Sequence, residues 1–284
     1  MIQQKGKVYL TGAGPGDPEL ITLKAVRHIQ SADVILTDRL VSDEIISLYA
    51  NDNAVIIYVG KDGCNKEKSV SQQETNELIV KYALQGNKVV RLKGGDVAFF
   101  SNVLDELTAL QKNNIEYEII PGITSASGAS AYSGIPLTAR GYSKGVRFLT
   151  YSKEKENDIA YWKELAETDD TLVFYMTGQI WNTLAQHFIN NNVNSLKKMA
   201  IIEQATTPCQ KVFVYDFNEL KTQNLKRVFV SPSLVIIGDV VNLHEQFGWK
   251  ENAHKNENYF KSPNKNAVEL QKNNLQSAWN KDVC

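Results

Sequence analysis

The chain is poor in the residues that build disulfide and metal sites. Three cysteines and four histidines are scattered over 284 residues, with no CxxC pair and no HExxH motif. Neither a disulfide framework nor a zinc site is therefore indicated. We predict a cytoplasmic protein that needs no metal.

Long apolar runs and an excess of one charge are also missing. Apolar runs such as Leu234-Val235-Ile236-Ile237 are far shorter than the roughly 20 residues that span a bilayer, and the first residues do not resemble a signal peptide. Lysine and arginine, 31 together, balance 32 aspartates and glutamates for a net charge of −1. This balance argues against nucleic-acid binding through a strongly basic face. We expect neither a membrane nor a nucleic acid as partner.

The first part of the chain alternates short β-branched runs with longer helical patterns. The strand-like runs are residues 7–11, 33–37, 54–59, 88–92 and 116–120. The helical patterns between them are residues 19–30, 43–50, 71–84 and 103–111. This alternation predicts an α/β domain with a mostly parallel sheet over residues 1–122.

The pattern changes after residue 122. Residues 124–143 are rich in Gly, Ala and Ser and predict a helix of small residues followed by a turn. Further strands are expected at 146–150, 171–176, near 199, at 211–215 and at 228–238, with helices at 159–166 and 180–190. Because no long helix separates the last two strands, a mixed sheet is expected in a second domain, residues 123–249. Residues 250–284 are rich in Asn and Lys, which predicts a poorly ordered tail.

Glycine loops follow two of the predicted strands. Residues 12–18, GAGPGDP, follow the first strand, and Lys93-Gly94-Gly95-Asp96 ends the fourth. Because the carboxyl ends of parallel strands meet at one edge of a sheet, both loops predict a ligand crevice there. The prolines fit a dinucleotide loop poorly. A tight turn at the first loop and a helix N-cap by Asp96 remain alternatives.

Two ionisable residues end further strands at the same predicted edge. Asp38 and Lys61 follow the second and third strands. A carboxylate and an amine can act as base and acid if their surroundings shift their pKa values. A turn and a salt bridge are the competing explanation.

These motifs together resemble the uroporphyrinogen-III C-methyltransferases of the S-adenosylmethionine-dependent tetrapyrrole methylase family. The resemblance covers about residues 6–249 and keeps many motifs in order. Those motifs are residues 12–24, 38–42, 59–61, 90–96, 121–125, 132–138, 173–176, 202–208 and 231–235.

The resemblance implies two α/β domains with S-adenosylmethionine in the cleft between them, and a homodimer. The implied reaction methylates C2 and C7 of uroporphyrinogen III, giving precorrin-2, a precursor of sirohaem and cobalamin. Asp38 would accept a proton and Lys61 would donate one. The residues implied to contact S-adenosylmethionine are Pro15, Gly94, Gly95, Asp96, Phe99, Thr124, Ser125, Met176 and Ala205.

The chain departs from the family pattern at several positions. Asn102 stands where the family has arginine, Val103 and Leu104 replace two glycines, Ala139 replaces histidine, and Ala205 replaces glycine. We expect a more helical loop at Val103 and, because uroporphyrinogen III carries eight carboxylates, either impaired turnover or a shifted tetrapyrrole substrate.

Two alternatives to this reaction stay open. One is another precorrin methylase of the same fold. The other is a catalytically impaired protein that still binds S-adenosylmethionine or a tetrapyrrole.

Overall fold

The computed structural model describes residues 4–60, 70–222, 227–255 and 257–260. These residues separate into two units, one running up to Thr124 and including Phe260, the other Ser125–Tyr259. The predicted domain boundaries, after residues 122 and 249, stay predictions. No helix in the described ranges is both long and apolar enough to cross a membrane.

The first unit is built on a parallel sheet, as the sequence predicts. Five strands lie in the order β3-β2-β4-β1-β5, and every neighbouring pair is parallel. The strands are β1 (Val8–Gly12), β2 (Val34–Thr37), β3 (Val55–Tyr58), β4 (Val89–Lys93) and β5 (Tyr117–Ile120). The connecting helices are α1 (Leu23–Gln30), α2 (Asp43–Tyr49), α3 (Gln72–Leu84) and α4 (Val103–Lys112). Because all five strands are parallel, their carboxyl ends lie at the same edge of the sheet.

Helices cover both faces of this sheet. Ile29 of α1 and Ile45 of α2 are buried on one face, whereas Ile79 of α3 and Leu110 of α4 are buried on the other. A strand buried on both faces carries consecutive apolar residues, which is why β2 is entirely buried. Each fully buried aliphatic side chain contributes about 1.5–3 kcal/mol.

The start of α3 is fixed by a capping box. The Ser71 hydroxyl accepts from the Glu74 N–H at 3.1 Å, and the Glu74 carboxylate accepts from the Ser71 N–H at 2.7 Å. These bonds satisfy two backbone donors that the first turn leaves unpaired. We expect Ser71→Ala to lower the free energy of unfolding by about 1 kcal/mol, measured by urea denaturation.

Ser152 provides the matched control for this substitution. It stands at the N-cap position of the short 3-10 turn Lys153–Lys155, but its side chain makes no capping hydrogen bond. Ser152→Ala should change stability by less than about 0.5 kcal/mol. Equal losses from the two variants would contradict the assigned function of the Ser71 cap.

The second unit carries a mixed sheet, again as predicted. Its strands lie in the order β6-β7-β10-β8-β9, with only β6 and β7 parallel. They are β6 (Val146–Thr150), β7 (Thr171–Tyr175), β8 (Lys198–Glu203), β9 (Lys211–Asp216) and β10 (Ser233–Gly238). The helices are α5 (Ser125–Ser133), α6 (Ile159–Glu167), α7 (Trp181–Asn190), α8 (Phe217–Thr222) and α9 (His244–Phe247).

Different helices cover the two faces of the mixed sheet. Trp162 of α6, Phe188 of α7 and Phe217 of α8 pack on one face. Small residues of α5, including Ala126 and Ala129, pack on the other. The segment rich in Gly, Ala and Ser forms this helix. Its small side chains let the helix approach the sheet closely.

Two predicted elements begin later than the sequence pattern suggests. The helix predicted from residue 19 begins at Leu23, because Thr22 is its N-cap and accepts from the Ala25 N–H at 3.2 Å. The strand predicted from residue 228 begins at Ser233. Pro232 directly precedes it and has no N–H to donate to a strand ladder.

Beyond residue 249, the Asn252 side chain forms two hydrogen bonds with the backbone of Val212.

Candidate active site

The two glycine loops of the first unit join at the carboxyl edge of its sheet. The Gly14 N–H donates to Gly95 O at 3.1 Å, and the Gly95 N–H donates to Gly14 O at 2.7 Å. The Ala13 N–H also donates to Lys93 O at 2.8 Å. Two loops that are far apart in the sequence therefore form one continuous rim, and the buried Pro15 comes directly after Gly14.

A third loop closes on this rim without room for side chains. A Cβ on Gly12 would lie 2.6 Å from Gly122 N and 2.7 Å from Gly95 O. Gly95 also has a left-handed φ of 72°. Both positions therefore require glycine, the first for close approach and the second for its backbone conformation.

Asp96 links its own loop, which contains Gly94 and Gly95, to the loop that contains Gly122. One carboxylate oxygen accepts from the Ala98 N–H at 2.7 Å and the other accepts from the Gly122 N–H at 2.8 Å. The side chain is almost fully buried, at 8% exposure for the residue. Asp96 thus orders the rim in addition to any contact with a ligand. Gly94 beside it lies against Leu40, whose Cβ would be 2.7 Å from an added Cβ.

Other predicted contact residues of the first unit surround these loops. Phe99 follows the Asp96 turn and is 38% exposed. Thr124 follows the Gly122 loop and is half-buried. Lys61, the predicted proton donor, lies outside the described residues, so its placement stays a prediction.

Asp38 lies at the end of β2, where its carboxylate is held on both oxygens. Oδ1 accepts from the Leu40 N–H at 2.9 Å. Oδ2 lies 3.6 Å from Nη2 of Arg91, and the Asp38 side chain retains 23% exposure. An oriented and accessible carboxylate is what a general base requires.

The second unit places its three predicted contact residues at element ends. Met176 follows β7, Ala205 follows β8, and Ser125 begins α5. β7 and β8 are both antiparallel to β10, so their carboxyl ends lie at the same edge of the sheet. The Tyr175 hydroxyl accepts from the Ala126 N–H at 3.3 Å, which brings the start of α5 to this edge as well.

Backbone strain is concentrated at the same edge of the second unit. Met176, Gln204 and Thr206 have φ values of 58°, 47° and 68°. Left-handed conformations are uncommon for residues other than glycine, and they are least favourable for β-branched ones such as threonine. Met176 is also 71% exposed. Strain of this kind is typical of functional sites.

Three buried ionisable residues were not predicted from the sequence. Arg91 and Lys93 lie on β4 and Glu106 lies on α4, all almost completely buried. Burial, followed by the neighbouring Arg91 guanidinium, lowers the pKa of the Lys93 ammonium below its ordinary value. The sequence does hold a signal for them. Two basic residues two positions apart in an apolar strand face the same side, and Glu106 lies in the apolar stripe of its helix.

Asn102 does not replace the function of an arginine. It precedes α4 with a left-handed φ of 53°, and its Nδ2 donates to Asp105 Oδ2 at 2.7 Å. Its side chain is therefore engaged locally. The helix begins at Val103, which agrees with the more helical loop expected from the loss of two glycines.

Metal-binding clusters are not found in the described ranges, where no three His, Cys, Asp or Glu residues come together to hold an ion.

The family model for the tetrapyrrole (corrin/porphyrin) methylases matches residues 7–221. The chain belongs to the tetrapyrrole methylase family. This match includes the glycine loops, Asp38, the Asp96 turn and both strained strand ends.

Individual relatives and solved structures agree with this assignment. A siroheme synthase of Vesicomyosocius okutanii is 44% identical over 246 residues, which are 87% of this chain and 52% of that protein. A uroporphyrin III C-methyl transferase structure from Thermus thermophilus matches with a TM-score of 0.68 and 32% identity over 84% of this chain and 100% of that one. The chain therefore spans about half the length of the siroheme synthase it matches.

A second Thermus thermophilus structure is complexed with S-adenosyl homocysteine. It matches with a TM-score of 0.67 and 30% identity, over 84% of this chain and 94% of that chain. The tetrapyrrole methylase fold predicted from the sequence, with a parallel and a mixed sheet, is thus confirmed.

Proposed function

We propose that the chain transfers methyl groups from S-adenosylmethionine to C2 and C7 of uroporphyrinogen III, giving precorrin-2 and S-adenosylhomocysteine. The observation that carries this proposal is the oriented Asp38 carboxylate beside a glycine rim in a tetrapyrrole methylase. The 32% identity to a uroporphyrin III C-methyl transferase supports the choice of substrate.

The residues at the rim fit S-adenosylmethionine. Glycines let the loops approach one another where a Cβ would collide with neighbouring backbone, and Asp96 supplies a carboxylate whose oxygens have remaining lone pairs. The proposed contacts are Pro15, Gly94, Gly95, Asp96, Phe99, Thr124, Ser125, Met176 and Ala205. When bound, S-adenosylmethionine supplies an electrophilic methyl group on a sulfonium.

The chain's own residues have two tasks in this reaction. The rim holds the donor so that an electron-rich ring carbon lies in line with the methyl group. The methylated ring carbon becomes quaternary and carries no hydrogen, so Asp38 accepts the balancing proton from another position of the methylated tetrapyrrole, and Lys61 is the proton donor. A homodimer and a place in sirohaem or cobalamin synthesis are parts of the same proposal.

An anaerobic assay tests the reaction directly. The purified chain is mixed with S-adenosylmethionine and enzymatically generated uroporphyrinogen III, and the absorbance of the oxidised dimethylated product is recorded. Calorimetric titration with S-adenosylhomocysteine is run in parallel. Product together with binding supports the proposal. Binding without product overturns the proposed reaction in favour of another tetrapyrrole substrate or the impaired binding protein. The absence of both product and binding overturns the proposal as well.

Asn102 bears on the rate of this reaction. Because its side chain is bonded to Asp105, it offers no fixed donor pair to a substrate carboxylate. We expect Asn102→Arg to raise kcat/KM for uroporphyrinogen III by about tenfold, since a bidentate charged pair is worth about 1.5–3 kcal/mol. Initial rates at subsaturating tetrapyrrole measure this ratio.

Asn102→Gln is the control, because it disturbs the bond to Asp105 without adding charge. Its kcat/KM should stay within about twofold of the unchanged chain. If Asn102→Arg leaves kcat/KM unchanged, the missing guanidinium does not limit turnover, and the expectation of an impaired enzyme is wrong.

A further inference from the structure

A group of buried charges lies directly beside the proposed proton acceptor. Arg91 and Lys93 are alternate residues of β4, so both side chains face the side of the sheet that α4 covers. Glu106 projects from α4 between them. The Glu106 side chain is 0% exposed, and those of Arg91 and Lys93 are 6% and 5% exposed.

Glu106 binds both cations. Its Oε1 accepts from Arg91 Nε at 2.9 Å and from Lys93 Nζ at 3.0 Å, and its Oε2 accepts from Lys93 Nζ at 3.0 Å. Arg91 Nη1 also donates to the carbonyl oxygens of Leu92, at 2.9 Å, and Leu36, at 3.3 Å. The guanidinium is therefore fixed on three sides.

The remaining side of the guanidinium faces Asp38. Nη2 is 3.6 Å from Asp38 Oδ2, while Oδ1 is held by the Leu40 N–H. Glu106 thus pairs with both Arg91 and Lys93, and Asp38 is the second carboxylate that Arg91 approaches. Asp38 is the one member of the group with substantial solvent access.

Packing does not explain this arrangement. Taking charges out of water is costly, and well-packed apolar residues commonly give equal or greater stability than a buried ion pair. The remaining three residues of β4 are all apolar and buried. The group ends at Asp38, whose carboxylate is partly accessible to solvent.

We propose that Arg91 is a positioning residue for the Asp38 carboxylate, and that Glu106, itself held by Lys93, fixes the Arg91 guanidinium. The inference rests on the proposed function, in which Asp38 accepts a proton. The guanidinium can span Glu106 and Asp38 because its donors form a rigid planar fork, which a lysine ammonium cannot reproduce.

The test is a double-mutant cycle on the full chain, built from Arg91→Lys and Asp38→Asn. Arg91→Lys should lower kcat about tenfold, with KM for both substrates and the Kd for S-adenosylhomocysteine within about twofold. In the Asp38→Asn background the same change should lower kcat less than about twofold, because residues that act as a unit are not additive.

Arg147→Lys is the matched control. Arg147 also joins two carboxylates, Asp170 at 2.7 Å and Glu164 at 2.5 Å, but it lies in the second unit. Its substitution should leave kcat within about twofold. Thermal unfolding of each variant reports whether it folds. If Arg91→Lys does not fold, Glu106→Asp replaces it in the cycle, because it keeps the charge but moves the carboxylate from Arg91.

The outcomes separate this inference from the proposed function. If the unchanged chain forms no methylated product, both are overturned. If the unchanged chain is active and Arg91→Lys keeps its kcat, only the inference is overturned. An equal loss of kcat with and without Asp38 also overturns it, because the substitution then acts on the fold and not through Asp38.

Discussion

Asp38→Asn is expected to lower kcat at least about 100-fold, the usual range for removal of a general base. Asparagine keeps the size and the oxygen that accepts from the Leu40 N–H, but it does not take up a proton. The Kd for S-adenosylhomocysteine should stay within about twofold, because Asp38 does not belong to the glycine rim. Anaerobic initial rates and calorimetric titration measure the two quantities.

Asp52→Asn is the control for this loss. Asp52 is an exposed residue before β3, at the amino end of the strands, so it lies at the edge of the sheet opposite Asp38. Its substitution should leave kcat unchanged. An Asp38→Asn variant that retains more than about a third of the original kcat would show that another group accepts the proton.

Gly12→Ala is expected to destabilise the chain by about 3 kcal/mol, the upper part of the range for overpacking. The new methyl group would lie 2.6 Å from Gly122 N, 2.7 Å from Gly95 O and 2.8 Å from Gly122 Cα. These are backbone atoms, which have no rotamer to change. The rim must open, so affinity for S-adenosylhomocysteine should fall at least about tenfold. Urea denaturation and calorimetry measure these effects.

Gly141→Ala separates this crowding from a general intolerance of glycine substitution. A Cβ at Gly141 would meet no atom within 4 Å, although its φ is +87°. The variant should lose about 1–2 kcal/mol to backbone strain and bind S-adenosylhomocysteine normally. If Gly12→Ala lowers stability and affinity for S-adenosylhomocysteine no more than Gly141→Ala does, close contact between the three loops is not required for either.

The sequence predicts the frame of the site better than its electrostatics. Glycine loops after strands indicated the edge at which Gly14 and Gly95 meet, because a parallel sheet puts all its carboxyl ends together. The starts of two elements differ from the apolar pattern, since Thr22 caps α1 and Pro232 precedes β10 without changing that pattern. Which strand lies next to which was not predicted, because strand order depends on contacts between distant residues.

Arg91 illustrates why the charged group was missed. A basic residue is ordinarily exposed, and only the pairing of β2 with β4 brings Arg91 to Asp38. Likewise, nothing local shows that Glu106 is the buried partner of Lys93. A carboxylate on the apolar stripe of a helix and two cations on one face of a strand become informative only when considered together.

The strand order also affects how the chain reaches its fold during synthesis. β1 lies in the interior of the first sheet, yet Val8 pairs with Val89 on one side and with Tyr117 on the other. β1 therefore waits for the synthesis of more than 100 further residues before both of its edges are covered. Pairings across such separations form slowly and leave strand edges open to other chains. Fragments ending before β5 should consequently aggregate.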